Sequence, residues 1–129
     1  MWTYTATGAT VAHKTCGTYT ILGGVRELVT EPFTKTYTLA PTVYGAIDID
    51  FVVMGIDNWI TGEQLIVELN GQTRTFDLGQ EKALYGTNVL NQCDSGLDEF
   101  LSRTLKASFD LPCGTTQIRI EFRTNLQTH

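Results

Sequence analysis

The chain has 129 residues, 14 of them acidic and 9 basic, for a formal net charge of −5. That length supports one hydrophobic core and not two, so a single domain spanning residues 1–129 is expected. An acidic balance without a Lys/Arg cluster excludes a nucleic-acid footprint, and no apolar run approaches the ~20 residues that would cross a bilayer, so neither nucleic acid nor membrane insertion is expected.

The opening "MWTYTATGAT" has neither the basic end nor the apolar stretch of a signal peptide. It alternates instead, with Trp2 and Tyr4 separated by threonine, and residues 1–8 read as an edge or exchanged strand. "YTIL" at 19–22 is a further β signal. "FTKTYTL" sets Phe33, Lys35, Tyr37 and Leu39 against Thr34, Thr36 and Thr38. "AIDIDFVV" turns Ile47, Ile49, Phe51 and Val53 one way and Asp48 and Asp50 the other, the pattern of a strand with one buried face.

Residues 55–63, "GIDNWITGE", gather Asp57, Asn58, Gly62 and Glu63 around Trp59. Beyond them, Asn70-Gly71 between two alternating runs predicts a hairpin over 64–77, because a type I′ turn needs positive φ at both central residues. In "DSGLDEFLSRTLKA" Asp94 or Ser95 is a candidate N-cap, and Leu97, Phe100, Leu101 and Leu105 recur at helical spacing. One short helical turn near 95–102, followed by a strand, is the expectation there. In the following run Leu105, Ala107, Phe109 and Leu111 share a face. In the last, Thr116, Ile118, Ile120 and Phe122 oppose Gln117, Arg119 and Glu121. Pro32, Pro41 and Pro112 stand at run ends, where a missing N–H costs the ladder least. Many short strands separated by turns predict an all-β, antiparallel, jelly-roll-like β-sandwich.

"TCGTYTILGG" at 15–24, "FTKTYTLAP" at 33–41, "IDIDFVVMGIDNWITGE" at 47–63, Cys93 and "IRIEFRTNL" resemble, in that order, an extracellular β-sandwich module of secreted and surface proteins of ciliates and other protists. The resemblance covers most of the chain. It implies an extracellular or cell-surface location and a Cys16–Cys93 disulfide, leaving Cys113 without a family partner. A bridge closing so long a loop contributes on the order of 4 kcal/mol in the chain-entropy model. The family pattern runs into a further Trp-Gly-containing strand, whereas this chain stops at His129, which implies an open sheet edge. Where the family has Asp-Ser-Trp-Asp-Gly-Glu, this sequence reads Asp57-Asn58-Trp59-Ile60-Thr61-Gly62-Glu63, with one residue inserted and the second Asp missing.

Hard cations take several oxygens, so Asp57, Asn58, Glu63, Asp98 and Glu99 form a candidate calcium set if the 57–63 and 94–99 loops converge. The competing reading is an acidic turn whose carboxylates cap backbone N–H groups. Trp59 is a candidate platform for a sugar ring, against the commoner role of a partly buried boundary residue. His13, Cys16, Cys93 and Cys113 lack the paired close spacings of a zinc site. With no G-x-S-x-G, phosphate loop or H-E-x-x-H, and Asp48 and Asp50 reading as a solvated stripe, no enzyme is expected.

Two functions follow as expectations. One is a structural module that self-assembles head to tail, as a filament or surface-layer subunit, by β-strand addition through Trp2 and Tyr4. The alternative is a calcium-dependent module binding glycan or a cell surface around Trp59.

Overall fold

Alternating sequence becomes antiparallel sheet through most of the computed structural model, which describes residues 1–16, 19–22, 32–40, 45–55, 62–89 and 99–125. In chain order its elements are β1 (Thr3–Tyr4), β2 (His13–Cys16), β3 (Tyr19–Leu22), β4 (Phe33–Thr38), β5 (Gly45–Phe51) and β6 (Met54–Gly55). They continue as β7 (Gln64–Leu69), β8 (Gln72–Asp77), α1 (Leu78–Tyr85), β9 (Thr87–Val89), β10 (Glu99–Leu101), β11 (Leu105–Leu111) and β12 (Gln117–Thr124). A five-stranded sheet has the order β1-β4-β12-β7-β8; β5 pairs with β11, β10 lies between β6 and β9, and β2 and β3 form a hairpin. The fold is all-β, antiparallel and sandwich-like, as the patterning predicts.

The hairpin over 64–77 forms as its turn chemistry requires, with Asn70 at φ 48° and Gly71 at φ 88°. That turn fixes Leu69 opposite Gln72 and Gln64 opposite Asp77. Leu65, Val67 and Leu69 therefore point one way, and they meet Ile118 and Ile120 of β12 and the Leu105, Ala107, Phe109 and Leu111 row of β11 in one core. Every one of these residues is 5% exposed or less. Fully burying a large apolar side chain of this kind contributes about 1.5–3 kcal/mol, so this row is the main source of stability.

β8 and β11 meet at a corner closed by side chains. The Gln72 amide donates to the Asp110 carbonyl at 2.8 Å and accepts from the Asp110 N–H at 3.1 Å. Beside it the Arg74 Nε donates to the Ser108 carbonyl at 2.9 Å. These bonds serve backbone groups of β11 that a neighbouring strand would otherwise serve.

The helical turn predicted near 95–102 is corrected in part. Glu99–Leu101 is a strand, paired with β6 on one side and β9 on the other; residues 95–98 lie outside the described residues. Phe100 decides the outcome. It is 1% exposed and lies against Gly55, where an added Cβ would stand 1.8 Å from its ring carbon Cε1. Two ladders and one deep contact outweigh a short run of helical spacing. Ser102 extends the junction, its N–H donating to the Val53 carbonyl at 2.9 Å and its hydroxyl accepting from the Val53 N–H at 2.8 Å.

Among the described residues a helix forms at α1. The Asp77 carboxylate accepts from the Gln80 N–H at 2.9 Å and from the Gly62 N–H at 2.8 Å, capping the helix and tying it to the preceding turn. At its end the Gly86 N–H donates to the Lys82 carbonyl at 3.1 Å. Leu78 and Gly79 are buried while Leu84 and Tyr85 are exposed, so no continuous apolar stripe marks this helix in the sequence.

Candidate functional site

The N-terminal segment is a small hairpin laid on the edge of the five-stranded sheet. Gly8, at φ 72°, supplies the left-handed residue of its turn. The Tyr4 N–H donates to the Ala9 carbonyl, the Gly8 N–H to Tyr4 and the Val11 N–H to Trp2, each at 2.8 Å. On the other side β1 pairs with β4 through two positions, Thr3 opposite Thr34 and Tyr4 opposite Phe33, and the Thr5 N–H extends the contact by donating to the Pro32 carbonyl at 3.0 Å. Among the described residues no strand pairs with the rest of that β4 edge, Lys35–Thr38.

Inward-facing aromatic rings hold this segment. The Trp2 ring packs 5.3 Å from Phe122 and the Tyr4 ring meets Phe33 edge-on at 5.5 Å. Phe51 continues the cluster, 5.3 Å from Phe122 and 5.4 Å from Phe76. Beside Trp2 an apolar cleft of about 500 Å³ stays open between the sheets, lined by Phe33, Tyr37, Ile49, Phe51, Val53 and Ile120 among others. Lys35 belongs to the same inward row and holds its ammonium 4.7 Å from the centre of the Tyr37 ring. Loss of surrounding water, with the adjacent Lys35, lowers the pKa of the Met1 α-ammonium.

On the outer face a polar network fixes the same edge. Glu121, 8% exposed, stands opposite Thr34 on β4 and opposite Glu68 on β7. Two carboxylates directly across a ladder repel. Arg123 offsets this by donating to Glu121 at 2.7 Å and to Glu68 at 3.2 Å, and Arg119 adds a contact to Glu121 at 3.6 Å. The Thr5 hydroxyl donates to Glu121 at 3.1 Å and makes a short hydrogen bond with Thr34. β1 is thus gripped by rings on one face and, on the other, by the hydroxyls of Thr5 and of Thr3, which donates to the Thr34 carbonyl at 3.5 Å.

The predicted calcium set is not assembled by the described residues. Asp57, Asn58 and Asp98 lie outside them, as do Trp59 and Cys93; β10 places the Glu99 backbone opposite Val89, and its side chain is not described. Glu63 is half-buried, and its carbonyl accepts the first N–H of α1, from Leu78, at 2.9 Å. Among the described residues no group of three His, Cys, Asp or Glu side chains is placed to hold a metal. Cys16 stands opposite Tyr19 in the β2–β3 hairpin, so the Cys16–Cys93 pairing also lies beyond the described residues. Cys113 is a free, exposed thiol in the turn after β11. Asp48 and Asp50 are exposed on the outer face of β5, where Ser108 donates to Asp48 at 2.7 Å.

Comparison with protein-family models, curated proteins and solved structures finds no match. Among the described residues no helix is long and apolar enough to cross a membrane. Trp2 and Tyr4, expected as assembly residues, do meet at one site, but on the β4 edge of their own chain. What the patterning missed is the cleft behind them. Its one signal is Lys35, a charge interrupting the inward row of an otherwise ordinary strand.

Proposed function

We propose that the chain is a non-enzymatic, extracellular structural module that assembles by β-strand addition, with its N-terminal strand as the exchanged element. The observation that carries this reading is the weakness of the seat of β1: two paired positions on β4, beside a cleft that Trp2 leaves unfilled. Exchange of an identical element offers the β4 edge the same side chains from another copy. What opposes it is the association entropy of about 4–15 kcal/mol and the opening of the Thr5–Gly8 turn. High local concentration, as in a surface layer, shifts that balance towards the exchanged form. The contact is heterologous, donor edge to acceptor edge, so it propagates as a filament unless its rotation closes a ring.

The test is light scattering and electron microscopy of the chain over a range of concentrations, alongside Trp2→Ala and a form lacking residues 1–8. Concentration-dependent oligomers that vanish in both altered forms are expected. Oligomers that persist unchanged in both would remove the N-terminal strand from the mechanism.

A further inference from the structure

The cleft and the uncovered β4 edge together say in which register a donated strand would dock. In its own chain β1 is tethered on both edges: the Tyr4 N–H donates to Ala9 and the Val11 N–H to Trp2 within the hairpin, while the Thr5 N–H donates to the Pro32 carbonyl at 3.0 Å, in the register that sets Thr3 opposite Thr34. Lys35–Thr38 then lacks a pairing strand on that side among the described residues, and the cleft below Tyr37 is unfilled. A strand arriving from another copy carries no such constraint.

We infer that, in the strand-exchanged assembly, the donated N-terminal strand docks on β4 shifted by two residues from its intramolecular register. Thr3 then stands opposite Thr36, Tyr4 opposite Lys35, Trp2 opposite Tyr37 and Met1 opposite Thr38. A shift of one residue would turn every side chain to the wrong face, whereas a shift of two keeps Trp2 and Tyr4 inward. Tyr4 takes the place beside Phe122 that Trp2 holds within the chain. The Trp2 indole enters the cleft of about 500 Å³ between Ile49, Phe51 and Val53. Over Tyr37 it also comes within reach of the Lys35 ammonium, which suits the face of an indole. Thr5, moving opposite Thr34, stays beside the threonine hydroxyl it already contacts. The shifted strand extends the ladder along Lys35–Thr38, pairing gained on β4 against the hairpin bonds of Tyr4, Gly8 and Val11 that exchange gives up.

This inference rests on the strand-addition reading, and paired cysteines separate the two. In a full-length Cys113→Ser background, Thr3→Cys is combined with either Thr34→Cys or Thr36→Cys; the background itself and the variants with one added cysteine are the controls, because Cys16 and Cys93 remain. After mild oxidation at high protein concentration, non-reducing gels read the covalent products. The expected result is a reducible ladder of multiples of the chain from Thr3→Cys/Thr36→Cys, while Thr3→Cys/Thr34→Cys closes within one chain. A ladder from Thr3→Cys/Thr34→Cys alone would overturn the shifted register and leave strand addition standing. Intramolecular closure by Thr3→Cys/Thr34→Cys with no ladder from either pair, at any concentration, would overturn both.

Discussion

The two sides of the sandwich follow the same period-two rule and end differently. On the β7–β8–β11 side, the inward rows of β7 and β11, from Leu65 to Leu69 and from Leu105 to Leu111, are 3% exposed or less, with Phe76 of β8 partly buried beside them, and Gln72 and Arg74 close the corner with side-chain hydrogen bonds. On the β1–β4–β5 side the equivalent residues, Ile47, Ile49, Phe51 and Val53, are only partly buried, and a cleft persists beside Trp2. Alternation decides which face a residue takes. A completed core needs its rows covered as well, and on the second side β1 pairs with β4 at only two positions, while β3 borders the cleft through Thr20, Ile21 and Leu22 without filling it.

The contrast is broken most severely by attacking its closed side. Phe109→Ala removes a ring that is 1% exposed, and a loss of about 3–5 kcal/mol is expected in urea unfolding followed by circular dichroism. Gly55→Ala is next. Its new methyl would stand 1.8 Å from Phe100 in the present geometry, so the ring must move at a cost of about 1–3 kcal/mol. Trp2→Ala, although it deletes the larger side chain, is expected to cost less than Phe109→Ala, about 1.5 kcal/mol or below, because the indole is only half-buried. A Trp2→Ala loss equal to that of Phe109→Ala would erase the distinction between the sides. Gln72→Ala probes the corner and is expected to cost about 1 kcal/mol through its two bonds to Asp110.

Much of the fold was legible in the sequence because its signals are local. Asn70-Gly71 dictates its own turn, and the rows of β5, β7, β11 and β12 declare their faces residue by residue. Phe100 was misread because its strand is specified by Gly55, distant in sequence, rather than by its neighbours. α1 announces itself only by Asp77 three residues before Gln80 and by Gly86, since its apolar residues form no stripe. Trp2 and Tyr4 were legible as a unit. Their seat was not, because a cleft is a property of surfaces brought together from β4, β5 and β12. Glu121 likewise reads as an outward charge, and only the folded sheet reveals it as the residue that Arg123 and Thr5 share.

The central claim is that β1 opens independently of the core, and native-state amide exchange tests it most directly. The amides of Tyr4, Thr5 and Val11, all bonded within the N-terminal edge, are compared with those of β7 and β12, which are paired on both sides. Exchange of the first group through a local opening, far faster than global unfolding and slowed as protein concentration rises, is the predicted result. Exchange of both groups only on global unfolding, with no dependence on concentration, would contradict the account.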